Sequence, residues 1–163
     1  MRHELQLDVR RVEDCDYVEA SRKLSALGLE MRRRGPTAEL LLRKAFLEID
    51  AGNFAQAAGA AEDALASNPK LVEAQLVWGR ALFYAALVRA GIMEGGPGHC
   101  LGNPGPEILA SYRHVSEYLN QVPYDDDAET LCNYLDRLVL GNADSSRMVA
   151  MLRRDFSPTA SQG

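Results

Sequence analysis

Residues 38–69 read AELLLRKAFLEIDAGNFAQAAGAAEDALASNP, and from Val72 the chain restarts the pattern with VEAQLVWGRAL. Two small residues, Ala45 and Gly79, stand 34 positions apart, where two helices can approach closely. Gly52-Asn53-Phe54 breaks the stretch in two. Before the break, Leu41, Ala45 and Ile49 make one apolar stripe and Leu42 and Phe46 another beside it. After it, Ala57, Ala61 and Ala64 share one helical face, and Pro69 closes the unit. The spacing predicts a helix over 38–50, a tight turn, and an alanine-rich helix over 54–67. Pro36 precedes the first helix and Thr37 is its expected N-cap. A helix apolar on two adjacent stripes packs against more than one neighbour, as stacked helical hairpins require.

Working outward, Asp16-Tyr17 followed by Ala20, Leu24 and Leu27 parallels Asn53-Phe54 followed by Ala57, Ala61 and Ala64. A helix over 16–34 is therefore expected, with Arg32, Arg33 and Arg34 at its end favoured by the helix dipole. On the other side, Leu71 to Ala90 is helical, but the partner helix does not follow at the usual distance. Instead residues 91–106 read GIMEGGPGHCLGNPGP, too rich in Gly and Pro for regular structure. Helix signals resume at Pro106-Glu107 and run to Pro123. Pro69 and Pro123 are 54 apart, one 34-residue period plus 20, so this unit reads as a hairpin whose turn is expanded over 91–105. Residues 128–140 predict a capping helix, 144–156 a further short one, and 157–163 a disordered tail. Glu4 to Val9 alternates like a strand but sits in a helical context, and helix is the preferred reading. The expectation is one all-α domain over residues 1–156.

Composition narrows the function. A chain of 163 residues with 47% hydrophobic and 25% charged residues is an ordinary globular domain able to bury a core. A net charge of −5 argues against nucleic acid or an anionic membrane surface as a direct partner. The most apolar stretch, 71–90, is interrupted by Glu73, Gln75 and Arg80, so membrane insertion is not expected. The first residues, MRHELQLDVRRVEDC, are charged throughout with no apolar signal core, and the expected location is cytoplasmic. Three cysteines, Cys15, Cys100 and Cys132, form no framework pattern and read as free thiols.

Candidate chemistry is sparse. His3-Glu4-Leu5-Gln6-Leu7 opens like a zinc-protease motif but carries Leu7 where the second histidine ligand belongs. The glycine-rich run has no strand before it and no GK[ST] triplet after it. Gly96, Gly98 and Gly102 also have the wrong spacing for a dinucleotide loop. His99-Cys100 would need His114, Cys132 or carboxylates to complete a metal site, none at a recognisable spacing. Asp125-Asp126-Asp127 lacks the glycine and distal glutamate of a calcium loop, and its carboxylates suit a helix start. The expectation is no metal, no cofactor and no catalysis.

The residues quoted from 38 to 82 resemble the tetratricopeptide repeat family, more weakly so over 14–34 and 106–123. The resemblance implies a right-handed stack of antiparallel helical hairpins, about three repeat units with a C-terminal capping helix. It also implies that the first helix of each hairpin lines a concave groove for a partner segment. The matching positions are Leu42, Arg43, Phe46, Ile49 and Asp50, then Leu76, Val77, Arg80, Phe83 and Tyr84. The competing reading packs some of these against the N-terminal helix or the long loop. Arg43 and Arg80 stand where the peptide-terminus-binding subclass carries Lys and Asn, which departs from that subclass. The implied function is a non-catalytic adaptor binding another protein, a homodimer being one admissible assembly. Two alternatives rest on weaker likenesses. One is a dedicated secretion or assembly chaperone, since the chain resembles bacterial translocator chaperones in length, charge and repeat type. The other is a regulatory module, because Pro104-Gly105-Pro106-Glu107 and Leu7-Asp8-Val9-Arg10-Arg11 resemble pieces of the helical domain of bacterial transcriptional activators.

Overall fold

A computed structural model describes residues 17–95, 100–141 and 144–156. These residues form seven helices, α1 (Tyr17–Arg34), α2 (Ala38–Asp50), α3 (Phe54–Ser67), α4 (Val72–Arg89), α5 (Gly105–Gln121), α6 (Asp126–Gly141) and α7 (Ser145–Phe156), with no strand among them. Helices adjacent in sequence pack as neighbours from α1 through α6, and α2 also touches α4. This sequential packing is compatible with a helical repeat. The strand-or-helix question at Glu4 to Val9, His3 of the protease-like motif and the tail expected over 157–163 all lie outside the described residues.

Local chemistry accounts for the element boundaries. The Thr37 hydroxyl accepts from the Leu40 N–H at 3.3 Å and caps α2, as the sequence indicates. At the other end Gly52, at φ 78°, donates to the Ile49 carbonyl while the Asn53 N–H reaches Glu48. That pair of bonds is a Schellman closure, and its left-handed residue costs least as glycine. The same closure ends α4: Gly91, at φ 77°, donates to Val88 and Ile92 to Leu87. α2 and α4 therefore stop in the same way.

The 20 additional residues of the second hairpin do not all enter its turn. α4 has 18 residues against 13 in α2, and α5 has 17 against 14 in α3. The connection takes the rest, residues 90–104 in place of 51–53. Arg89 ties down its returning end. The Arg89 carbonyl accepts from the Gly102 N–H at 3.0 Å, and its Nε donates to the Asn103 carbonyl at 3.2 Å and faces Glu107 at 3.4 Å. Ile92 and Met93 fold back onto the core and Pro104 is fully buried.

α4 is the axis of the molecule. Ala74, Val77, Ala81, Phe83, Tyr84, Ala86, Leu87 and Val88 bury residues on every side of it, as expected of a helix enclosed by others. On the α3 side the partners are Ala57, Ala58, Ala61 and Ala64. On the α5 side the approach is closer still. A Cβ on Gly79 would come within 2.7 Å of Val115 Cγ2 and 3.3 Å of the Ser111 carbonyl. The Ser111 hydroxyl, completely buried, donates to the Gly79 carbonyl at 2.6 Å. The period-matched small residue at 79 is thus demanded by α5. Farther along, Phe83 meets Tyr134 and Phe156 edge-on, with ring centroids 6.2 and 5.8 Å away. Two helices, α6 and α7, close this end, at the positions where the sequence predicts a capping helix and a further short one. α7 supplies Met148, Leu152 and Phe156 to the same core.

Candidate partner-binding face

The ten groove positions separate into two groups, and Val77, 4% exposed, falls with the buried ones. Phe83 and Tyr84 are 3% and 6% exposed and belong to the main core, beside Tyr134 of α6 and Phe156 of α7. Ile49 and Leu76 are half-buried against that same core, and Leu42 is buried in the smaller cluster between α2, α3 and α4. Arg80 is half-buried, with its Nε buried and unpaired. Its charge acts toward Tyr118 and Asp125. The sequence could not foresee the covering of Phe83, because Tyr134 and Phe156 lie 51 and 73 positions downstream in α6 and α7.

What stays open is on α2. Glu39, Arg43, Phe46 and Asp50 are exposed, and their spacing of four, three and four residues sets them along one side of the helix. Phe46 is 45% exposed, a large aromatic on an otherwise polar stripe. α1 borders this stripe. Glu30 accepts from Arg34 at 3.0 Å and faces Arg43 at 3.6 Å, so one carboxylate is shared by two guanidinium groups. The Arg43 side chain remains 60% exposed. Such an exposed pair is worth at most about 1 kcal/mol. Arg43 can therefore exchange Glu30 for another carboxylate at little cost. The face offers an aromatic ring and a loosely held guanidinium, a residue combination that concentrates binding energy at interfaces.

A second polar group joins α4 to α5. The Gln75 amide nitrogen donates to Glu117 Oε2 at 2.8 Å and lies 2.9 Å from Nδ1 of His114. The Trp78 indole stacks on the same imidazole, with centroids 3.7 Å apart and planes inclined by 22°. Burial holds the His114 pKa below 6.5, aided by Arg113 and opposed by Glu117. Sequence reading weighed His114 only as a metal ligand and missed this cluster. Its one signal was Gln75, a polar residue on a helix apolar all round.

The remaining motifs resolve simply. Among the described residues no group of three or more His, Cys, Asp and Glu can hold a metal ion. His99 lies outside them, and Cys100 is exposed. Asp125 caps α6: its Oδ1 accepts from the Ala128 N–H at 3.1 Å and its Oδ2 from the Tyr118 hydroxyl at 2.8 Å. Burial would raise this carboxyl, but the two donors and Arg80 hold it below its ordinary value. None of the described helices is long and apolar enough to cross a membrane. No family model, curated protein or solved structure matches the chain.

Proposed function

We propose that this chain is a non-catalytic protein-interaction module of the tetratricopeptide type, a right-handed stack of helical hairpins that holds a segment of another protein against α2. The observation that supports it most is Phe46, a large aromatic left 45% exposed on the same side of α2 as Arg43. Isolated exposed apolar residues are common on proteins. This one lies in register with a guanidinium and on the helix that such repeats use for recognition. Burial of Phe83 beneath α6 and α7, and of Tyr84 beside Phe54 of α3, narrows the groove implied by the sequence. The binding residues become Arg43 and Phe46, with Leu42 and Ile49 shaping the floor from within. The partner segment suited to this face carries an apolar side chain for Phe46 and a carboxylate for Arg43.

Affinity capture with the wild-type chain and with Arg43→Glu/Phe46→Ala tests the assignment. Both side chains are exposed, so the variant should keep its helical circular dichroism and thermal midpoint. Loss of the captured partner by the folded variant is the expected result. An identical set of partners for both proteins refutes the face.

A further inference from the structure

We propose that Gln75, Trp78 and His114 form an acid-released latch between α4 and α5. The hydrogen-bond pattern fixes the state in which it is closed. Glu117, ionised, can only accept, so the Gln75 atom 2.8 Å away is the amide nitrogen. That nitrogen has a second hydrogen to give, and Nδ1 of His114 is 2.9 Å from it. Nδ1 must therefore be an acceptor, and the imidazole is neutral with its proton on Nε2. Protonation at Nδ1 sets an N–H against an N–H and breaks this bond. Turning the Gln75 amide over restores a partner for His114 but removes the donor to Glu117. No arrangement of Gln75 satisfies both neighbours once His114 is charged.

The surroundings do not compensate. From α5 itself, Arg113 disfavours the cation and Glu117 favours it, and burial outweighs both. From α4, Glu73 and Arg80 exert their influence one turn farther along α5, at Tyr118. α3 meets Trp78 through Ala57 and Ala58, which are neutral, while its Glu62 and Asp63 are exposed. The latch sits near the start of α4, at the opposite end from the 90–104 connection.

The sign follows from linkage. With the folded pKa below 6.5, the closed and open states are both neutral above that pH and the latch contributes in full. As pH falls below 6.5 the open state takes up the proton first, and stability is lost until the closed state also titrates. Over that window the opening equilibrium grows about tenfold per pH unit.

Trp78 is the sole tryptophan, so its fluorescence reports the stacked imidazole directly. On the full chain titrated from pH 8 to 5, wild type should show a single step with its midpoint below 6.5. His114→Gln, which keeps an acceptor for Gln75, should abolish the step, whereas His3→Gln/His99→Gln should leave it. Gln75→Glu faces the imidazolium with a carboxylate and should raise the midpoint by about one pH unit or more. Amide exchange in residues 111–118, corrected for its intrinsic pH dependence, should accelerate below pH 6.5 in wild type and stay flat in His114→Gln. A step that survives His114→Gln, or a midpoint indifferent to Gln75→Glu, overturns the latch. So does α5 protection that is the same in wild type and His114→Gln at every pH.

Discussion

The α2–α3 hairpin and the start of α4 meet largely through alanine and leucine, whereas the end of α4 meets α6 and α7 through aromatic rings, and tyrosine–carboxylate bonds join the segments from α5 onward. In the first region Ala45, Ala57, Ala61 and Ala64 are completely buried, so backbones lie close and each side chain contributes little surface. In the second, Phe83, Tyr134 and Phe156 form mutual edge contacts, and three hydroxyls bridge successive segments. Tyr112 donates to Asp136, Tyr118 to Asp125 and Tyr134 to Asp155, each at 2.8 Å.

The largest effect should separate the halves by what truncation leaves behind. Phe83→Ala empties the centre of the aromatic group and should cost about 3–5 kcal/mol by denaturant unfolding. A loss under 1 kcal/mol would show that α6 and α7 do not hold the core as their contacts indicate.

The comparison sharpens with one substitution made in both halves. Gly79→Ala drives a methyl to 2.7 Å from Val115, against backbone at 3.3 Å on α5. It should destabilise by about 1–3 kcal/mol, more than the helix propensity gained. Gly59→Ala in α3 finds nothing within 4 Å and should instead stabilise by about 0.5–1 kcal/mol. Equal signs in thermal unfolding would break the contrast between a glycine required by packing and one that is not.

The smallest effect concerns the tyrosines at high pH. Burial and then the bond to Asp125 push Tyr118 up to about 12, and burial followed by Asp155 raises Tyr134. The bond to Asp136 is the main cause for Tyr112, which is also raised. Each folded pKa is raised, so these bonds contribute fully below pH 10 and are lost as pH climbs through the folded values. Ultraviolet titration should show Tyr112, Tyr118 and Tyr134 ionising at higher pH in the native protein than in the denatured chain. The same midpoints in both states would remove the tyrosine–carboxylate bonds from the comparison.

Much of this molecule was legible in the sequence, and the legible parts share a cause. The α2 and α3 boundaries, the Thr37 cap, the Gly52 turn and the need for a small residue at 79 all rest on local chemistry or on spacing within a period. The candidate face was legible only in part. Arg43 and Phe46 stayed exposed beside α1, while Phe83 was taken into the core by distant helices and Tyr84 by Phe54 of α3. The Gln75–His114 pair, 39 residues apart in sequence, had no spacing rule to announce it.

By itself, the sequence determined the helical character of the described residues, where their helices start and stop, and which faces are apolar. Apolar periodicity, caps and glycine turns act within one or two helical turns, so they can be read from neighbouring residues. The tertiary structure alone decided which apolar face was covered and which was left open. It also spread the 20 additional residues over two helices and a connection, and brought Gln75, Trp78 and His114 into one cluster. Those outcomes depend on which distant helix arrives at a given surface, and the free energy of that choice resides in contacts between segments far apart in the chain.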